Sequence, residues 1–108
     1  MLQKIERINY LMDFYQDLLT EKQRDILTLY FKEDFSLAEI AEIKKVSRSA
    51  IYDNLKRCEK ILENYEDKLH LFSKFKKRSI IYDSLLKKGN KDVISLIIDL
   101  KEIDNMEE

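Results

Sequence analysis

SLAEIAEIKKVSRSAIYDNLKR, residues 36–57, holds two helix starts eleven residues apart. Ser36 stands three residues before Glu39. This is the capping-box spacing, in which the hydroxyl accepts from the third amide and the carboxylate reaches back. Ser47 offers the second cap. Between them Leu37, Ile40 and Ala41 mark the buried side of a short helix, 37–44, and Lys45 and Val46 are left to make a turn. Small Ala41 sits where two helices cross and lets them approach, with Ile40, Val46, Ile51 and Leu55 expected to fill the core between them. The second helix then projects its first two turns outward. That is the plan of a helix-turn-helix, whose second helix enters the DNA major groove by its N-terminal turns. The alternative is an ordinary helical hairpin.

Towards the N-terminus, Leu2, Ile5, Ile8, Leu11, Met12, Tyr15 and Leu18–Leu19 form a helical stripe over 2–18, widened by Tyr10 and Phe14. Thr20 and Gln23 repeat the capping-box spacing, and a helix to about Lys32 brings Ile26, Leu27, Leu29, Tyr30 and Phe31 to the core. Towards the C-terminus no break separates Arg48 from Phe72, a rod of about 37 Å. Ile51, Leu55, Cys58, Leu62, Tyr65, Leu69 and Phe72 follow a heptad seam. The seam suits an intramolecular antiparallel partner as well as a parallel coiled coil. A helix over 74–88 ends at Gly89, placed where a left-handed residue closes a helix, with Lys87 and Lys88 at the negative end of its dipole. Asn90 caps a last helix, 91–103, and residues 104–108 are expected to fray. The fold class is all-α, with one domain over 1–108. The helix-turn-helix lies at 36–57 with a long extension of its second helix, and 91–108 form a terminal helix and acidic tail.

Composition narrows the function. With no proline and one glycine in 108 residues, the chain lacks the turn chemistry of β-hairpins and cannot build a glycine-rich phosphate loop. Charged residues at 38% beside hydrophobic ones at 44% suit a soluble helical protein rather than a disordered one. His70 is the only histidine and Cys58 the only cysteine, so no disulfide or cysteine-based zinc site can form within the chain. The reading is a non-enzyme without cofactors. There is no apolar run for a membrane span and no targeting segment, so a cytoplasmic location is expected. The net charge of −1 conceals an asymmetry. Residues 47–90 carry 11 basic and 6 acidic side chains, whereas 91–108 carry 2 and 6. A basic middle suits nucleic acid; a pI of 5.9 does not favour strong DNA binding.

Residues 18–62 resemble region four of bacterial sigma factors. They share the Glu39-Ile40-Ala41 element before the turn and the run Ser49-Ala50-Ile51-Tyr52-Asp53-Asn54-Leu55-Lys56-Arg57 after it. Nearly the whole chain is similar to the YlxM family of small bacterial proteins. Ser36–Ala41 matches that family's Ser-Leu-x-Glu-Ile-Ala, and Val46–Asn54 its Val-Ser-Arg-x-Ala-Val/Ile-Tyr-Asp-Asn. The resemblance implies an all-helical, sigma-like protein. It also implies a regulatory association with the signal recognition particle pathway, since genes of the family tend to neighbour those for the GTPase Ffh and its receptor. One position departs: the family usually places an aromatic residue two before the turn valine, where this chain has Lys44. Either Ile43 rotates in as its substitute or the turn is altered.

With Ile51 and Leu55 inward, the candidate nucleic-acid residues are Arg48, Ser49, Tyr52, Asn54, Lys56, Arg57 and Lys60. Arg48 and Ser49 suit base edges or phosphate, and Asn54 suits adenine. Lys56, Arg57 and Lys60 suit phosphates. Tyr52 suits stacking on an unpaired base. Asp53 opposes phosphate unless it accepts from cytosine or pairs with Arg57 one turn on. Lys74, Lys76, Lys77 and Arg78 form a second basic group. The partners in view are DNA or RNA, Ffh, and a second copy of the chain. The last rests on residues 91–103, where seven of thirteen side chains are aliphatic and wrap most of the helix. Tyr10, Phe14, Ile94 and Ile98 are the candidate dimer contacts. Three function classes therefore stand: a dimeric DNA-binding regulator, a protein or RNA modulator of Ffh-containing particles, and a structural helical oligomer.

Overall fold

A computed structural model describes residues 2–105, and among them it forms six α-helices and no strand. The chain groups into two compact units, 1–70 and 71–108. In the first, α1 (Leu2–Tyr15) passes through a 3₁₀ turn at Gln16–Leu18 into α2 (Glu21–Leu27), which widens into a π turn at Thr28–Lys32. Then come α3 (Leu37–Lys44) and α4 (Arg48–Leu69). The second unit contains α5 (Leu71–Lys88) and α6 (Lys91–Asp104).

The helix starts follow from the sequence. Thr20 and Ser36 each accept from the amide three residues on, at 3.1 Å, while Gln23 and Glu39 accept back from the cap amides at 3.0 Å. Ser47 accepts from Ala50 and Asn90 from Val93. These bonds occupy amide donors that a helix start otherwise leaves without partners.

The helix ends depart from expectation. Gly89 is not left-handed; the positive φ values belong to Asp34 (64°), Lys45 (58°) and His70 (57°). Gly89 answers a different need. A Cβ there would lie 2.8 Å from Val93 Cγ1 and 2.9 Å from the Leu85 carbonyl oxygen. The glycine is what lets the α5–α6 corner close. At His70, which is exposed, α4 stops after 22 residues instead of running on to Phe72. Residues 106–108 and any fraying there lie outside the described residues.

Unit one is built round α4, with α1, α2 and α3 packed against it. Ile51, Leu55, Cys58 and Leu62 are buried, as the heptad predicts, but the seam then leaves its register. Tyr65 is half-buried, Leu69 is exposed, and Glu66 is buried in their place. Tyr15 of α1, itself fully buried, donates its hydroxyl to Glu66 at 2.6 Å. Burying a carboxylate is tolerable when charge-assisted hydrogen bonds replace water. Arg7 clasps Glu63 with two bonds of 2.7 and 2.8 Å, which holds the guanidinium above its ordinary pKa. Lys4 reaches Glu59 at 3.5 Å. The pairs 4–59, 7–63 and 15–66 ascend together, so α1 accompanies α4 in the same direction. The seam is satisfied inside unit one, by α1 running parallel to it and by α2 and its π turn running the opposite way, from Leu18 beside Tyr65 to Tyr30 and Phe31 beside Leu55.

Unit two is a pair of helices with one seam. Phe72 and Ile97 are buried; Ile80, Ile81, Leu96, Ile98, Leu100 and Ile103 are exposed. Arg78 pairs with Asp104 at 3.1 Å and Lys101 with Asp83 at 3.2 Å, joining α5 to α6. No helix of the described residues is long and apolar enough to cross a membrane.

Candidate nucleic-acid interface

The turn between α3 and α4 sets the geometry of the motif. Lys45 is left-handed, its amide donates to the Glu42 carbonyl at 3.3 Å, and the Val46 amide donates to the Ala41 carbonyl at 3.1 Å. Crossed bonds of this kind make a Schellman closure. Val46 serves it through its backbone. Its side chain stays 48% exposed rather than filling the core as expected, and the small core is made by Ile40, Ala41, Ile51 and Leu55. Ile43 does not rotate in either; it is 52% exposed. Lys44, at the departing position, turns to α2 and pairs with Asp25.

Beyond the turn, α4 presents its candidate residues unevenly. Arg48, Ser49, Tyr52, Lys56, Arg57 and Lys60 are exposed. At about 100° per residue, Ser49, Lys56 and Lys60 lie on the side away from Ile51 and Leu55, flanked by Tyr52 and Arg57. Asn54 stands about 160° round the axis from both Tyr52 and Lys56 and is half-buried. The structure thus gathers five of the seven residues on one face; Asn54 stands apart on one flank, and Arg48, exposed in the first turn, lies about 180° round the axis from Arg57. Asp53 is exposed in the middle of the face and forms no ion pair with Arg57 among the described residues.

The cations differ in how committed they are. Lys56 pairs with Glu59 at 3.6 Å and lies 5.5 Å from the Tyr52 ring centre. The carboxylate of Glu59, which it shares with Lys4, raises its pKa. Arg48, Arg57 and Lys60 have no ion-pair partner among the described residues. In the second basic group, Arg78 is held by Asp104 and Lys76 lies 4.5 Å from the Phe72 ring centre. Lys74 and Lys77 are exposed cations of that group with no ion-pair partner among the described residues. Cys58 is fully buried, and burial pushes its thiol pKa up, so it packs as a small apolar residue. Among the described residues no three His, Cys, Asp or Glu side chains gather to hold a metal ion.

A cleft of about 480 Å³ opens beside this face. Its walls include Tyr30, Phe31 and Phe35 from the π turn and the loop after it, Ile5 from α1, and Tyr52 from α4. Sequence periodicity assigns Tyr30 and Phe31 to the core, but both are half-buried. The signal was there in the crowding of three aromatic residues into 30–35, more than one helical stripe can enclose.

Comparison with known proteins agrees with this architecture. The UPF0122 family, described as helix-turn-helix proteins, YlxM / p13 like, matches residues 2–103. A UPF0122 protein of Oceanobacillus iheyensis is 53% identical over 105 residues, covering 96% of this chain and all of its own. YofM of Lactococcus lactis is 49% identical over 107 residues, with 99% of this chain and 96% of its own covered. YlxM of Bacillus subtilis is 49% identical over 108 residues, with 95% and 98% covered. With such matches along almost its full length, the chain belongs to the UPF0122 family of YlxM-like helix-turn-helix proteins.

Proposed function

We propose that this protein is a non-catalytic regulator that binds nucleic acid through the outer face of α4, within the signal recognition particle pathway. One observation carries the binding reading: Arg48, Arg57 and Lys60 are exposed on the helix that follows the turn, with no anion among the described residues pairing with them. Phosphates are the ligands such side chains suit, and Ser49 and Tyr52 are placed to meet base edges or rings. Lys56 joins them by exchanging Glu59 for a phosphate. The pathway rests on the resemblance to YlxM. The second reading, a modulator of RNA or of Ffh rather than a promoter-type DNA binder, is favoured by Asp53 at the centre of the same face. Self-association completes the proposal: a two-fold dimer formed by the terminal helices, with Ile94 and Ile98 of α6 as contacts and Tyr10 and Phe14 of α1 as a second patch.

The test is binding of the purified protein to random duplex DNA, signal-recognition-particle RNA and Ffh, each measured against salt. Replacing Lys56, Arg57 and Lys60 with Ala lowers the slope of log affinity on log salt by about one for each lost phosphate contact on duplex DNA. An unchanged slope overturns the α4 site and points to Lys74 and Lys77. Binding to Ffh with none to either nucleic acid overturns the nucleic-acid reading.

A further inference from the structure

The aromatic cleft beside α4 shares only Tyr52 and Lys56 with the candidate groove-facing residues, and the rest of its lining comes from other elements and from Leu55 and Glu59 of α4. We propose that it receives one unpaired nucleobase from a strand running along α4, a proposal that rests on the nucleic-acid reading above. Three observations support this. The first is shape. A space of about 480 Å³ falls in the range of small-ligand sites but is too small for a stacked duplex. Tyr30 and Phe31 meet edge to face at 4.9 Å, and Phe35 and Tyr52 supply further ring surface. Aromatic faces hold bases of any sequence by stacking, provided the base is free of its pair.

The second is charge. Lys4 and Lys56 stand at the α1–α4 edge with Glu59 between them, at 3.5 and 3.6 Å. At this lip two ammonium groups share one carboxylate, a cationic edge for the phosphate that accompanies the base, while Asp34 and Glu39 bring the whole lining to three carboxylates against two ammoniums. Asp34 and Glu39 stand among the other lining residues; Glu39 is occupied in capping α3, while Asp34 is exposed and suited to accept from an exocyclic amine. The third is position. Tyr52 and Lys56 belong both to the cleft and to the exposed face of α4, so a strand laid on that face passes the opening. The wall opposite is the π turn at Thr28–Lys32 followed by left-handed Asp34. This π turn closes α2 at its C-terminus and, with the loop after it, turns Tyr30, Phe31 and Phe35 towards the cleft.

The experiment compares hairpins that are fully paired with hairpins carrying one bulged 2-aminopurine, in a DNA arm and an RNA arm, at one fixed salt concentration. Affinity and 2-aminopurine emission are the readouts. The bulged hairpin is expected to bind at least about five-fold tighter, since stacking a base on an aromatic ring is worth that much or more, and its emission changes on binding. Ile5→Trp, which fills the opening from α1, and Phe35→Leu, which removes a ring but keeps bulk, each abolish the preference. Ile5→Trp leaves the affinity for the paired hairpin within about two-fold. Helical circular dichroism confirms that both variants are folded. Equal affinity for bulged and paired hairpins, or a preference that survives both substitutions, overturns the cleft while leaving the α4 reading standing. No binding of wild-type protein to any hairpin overturns both. A preference in only one arm assigns the base to DNA or to RNA.

Discussion

The two units divide the chain's apolar side chains very differently. Among the described residues, unit one buries thirteen hydrophobic side chains and unit two buries two, Phe72 and Ile97. Yet the second unit is nearly as rich in such residues; Leu71, Ile80, Ile81, Leu85, Leu96, Ile98, Leu100 and Ile103 are all exposed. The difference is geometric. A helix surrounded by three others, like α4, can be apolar over much of its circumference and hide it. Within unit two α6 packs on α5 alone and hides a single stripe, which leaves the rest of its apolar side chains exposed. Unit one encloses a core, whereas unit two leaves most of its large apolar side chains exposed, which is what the proposed dimer would cover.

The largest effect that can break this contrast falls on assembly. Ile98→Asp places a charge on the exposed side of α6 and is expected to convert a dimer to monomer with its helical content intact. Each buried Ile contributes about 1.5–3 kcal/mol, counted on both subunits by the two-fold. Sedimentation equilibrium at micromolar concentration reads the outcome. A wild-type species near 13.0 kDa would remove the interface reading of unit two.

Next comes a pair of truncations that should differ sharply. Leu62→Ala, at a fully buried position, is expected to cost about 2–5 kcal/mol in denaturant unfolding. Leu96→Ala, at a position 63% exposed, is expected to stay within about 0.5 kcal/mol when measured on the dissociated Ile98→Asp background. Similar costs at both sites would mean that unit two is packed as tightly as unit one.

Tyr15→Phe sharpens the comparison from inside unit one. It takes from buried Glu66 the 2.6 Å hydroxyl bond and is expected to cost about 1.5–3 kcal/mol. Gly89→Ala is the smaller counterpart in unit two. Alanine at a relaxed site often stabilises, but here its Cβ meets a backbone oxygen at 2.9 Å, so a lowered Tm is expected, by a few degrees.

The smallest effect depends on pH. The Ser36 amide, then its hydroxyl, hydrogen-bonds with the Glu39 carboxylate and holds its pKa below the usual range. A depressed folded-state pKa gives a contribution that is complete above the ordinary carboxylate value and disappears as the pH falls through the folded one. The stability gap between wild type and Glu39→Gln should therefore close below about pH 4. A gap that is flat with pH would show that the cap does not depend on ionisation.

What could be read from sequence followed local rules. All four predicted caps are present, because each depends on residues within three positions of one another. The six helices and the inner face of α4 as far as Leu62 follow from periodicity for the same reason. Misreadings arose where a partner distant in sequence decides. Glu66 looks like a solvated residue until Tyr15, 51 positions earlier, is brought beside it. Lys44 looks like a defect in the motif until Asp25 is seen to face it. Val46 was assigned by side-chain type to a job its backbone performs. The exposed cations of α4 were legible from spacing. The cleft was not, because it joins α1, the π turn and α4 at one point and no single repeat marks it.

Cys58 turns the asymmetry between the units into something that can be timed. It is the only thiol in the chain, it is wholly enclosed in unit one, and burial keeps it protonated and unreactive. A colourless aromatic disulfide added to the native protein can react only during excursions that expose α4's inner face. When reclosing outpaces the reagent, the labelling rate reports the open population directly. The protein therefore carries its own stopwatch for unit one, with no thiol in unit two to blur it. Nucleic acid bound to α4 should slow that clock, giving a read-out of ligand binding that needs neither a label on the ligand nor denaturant.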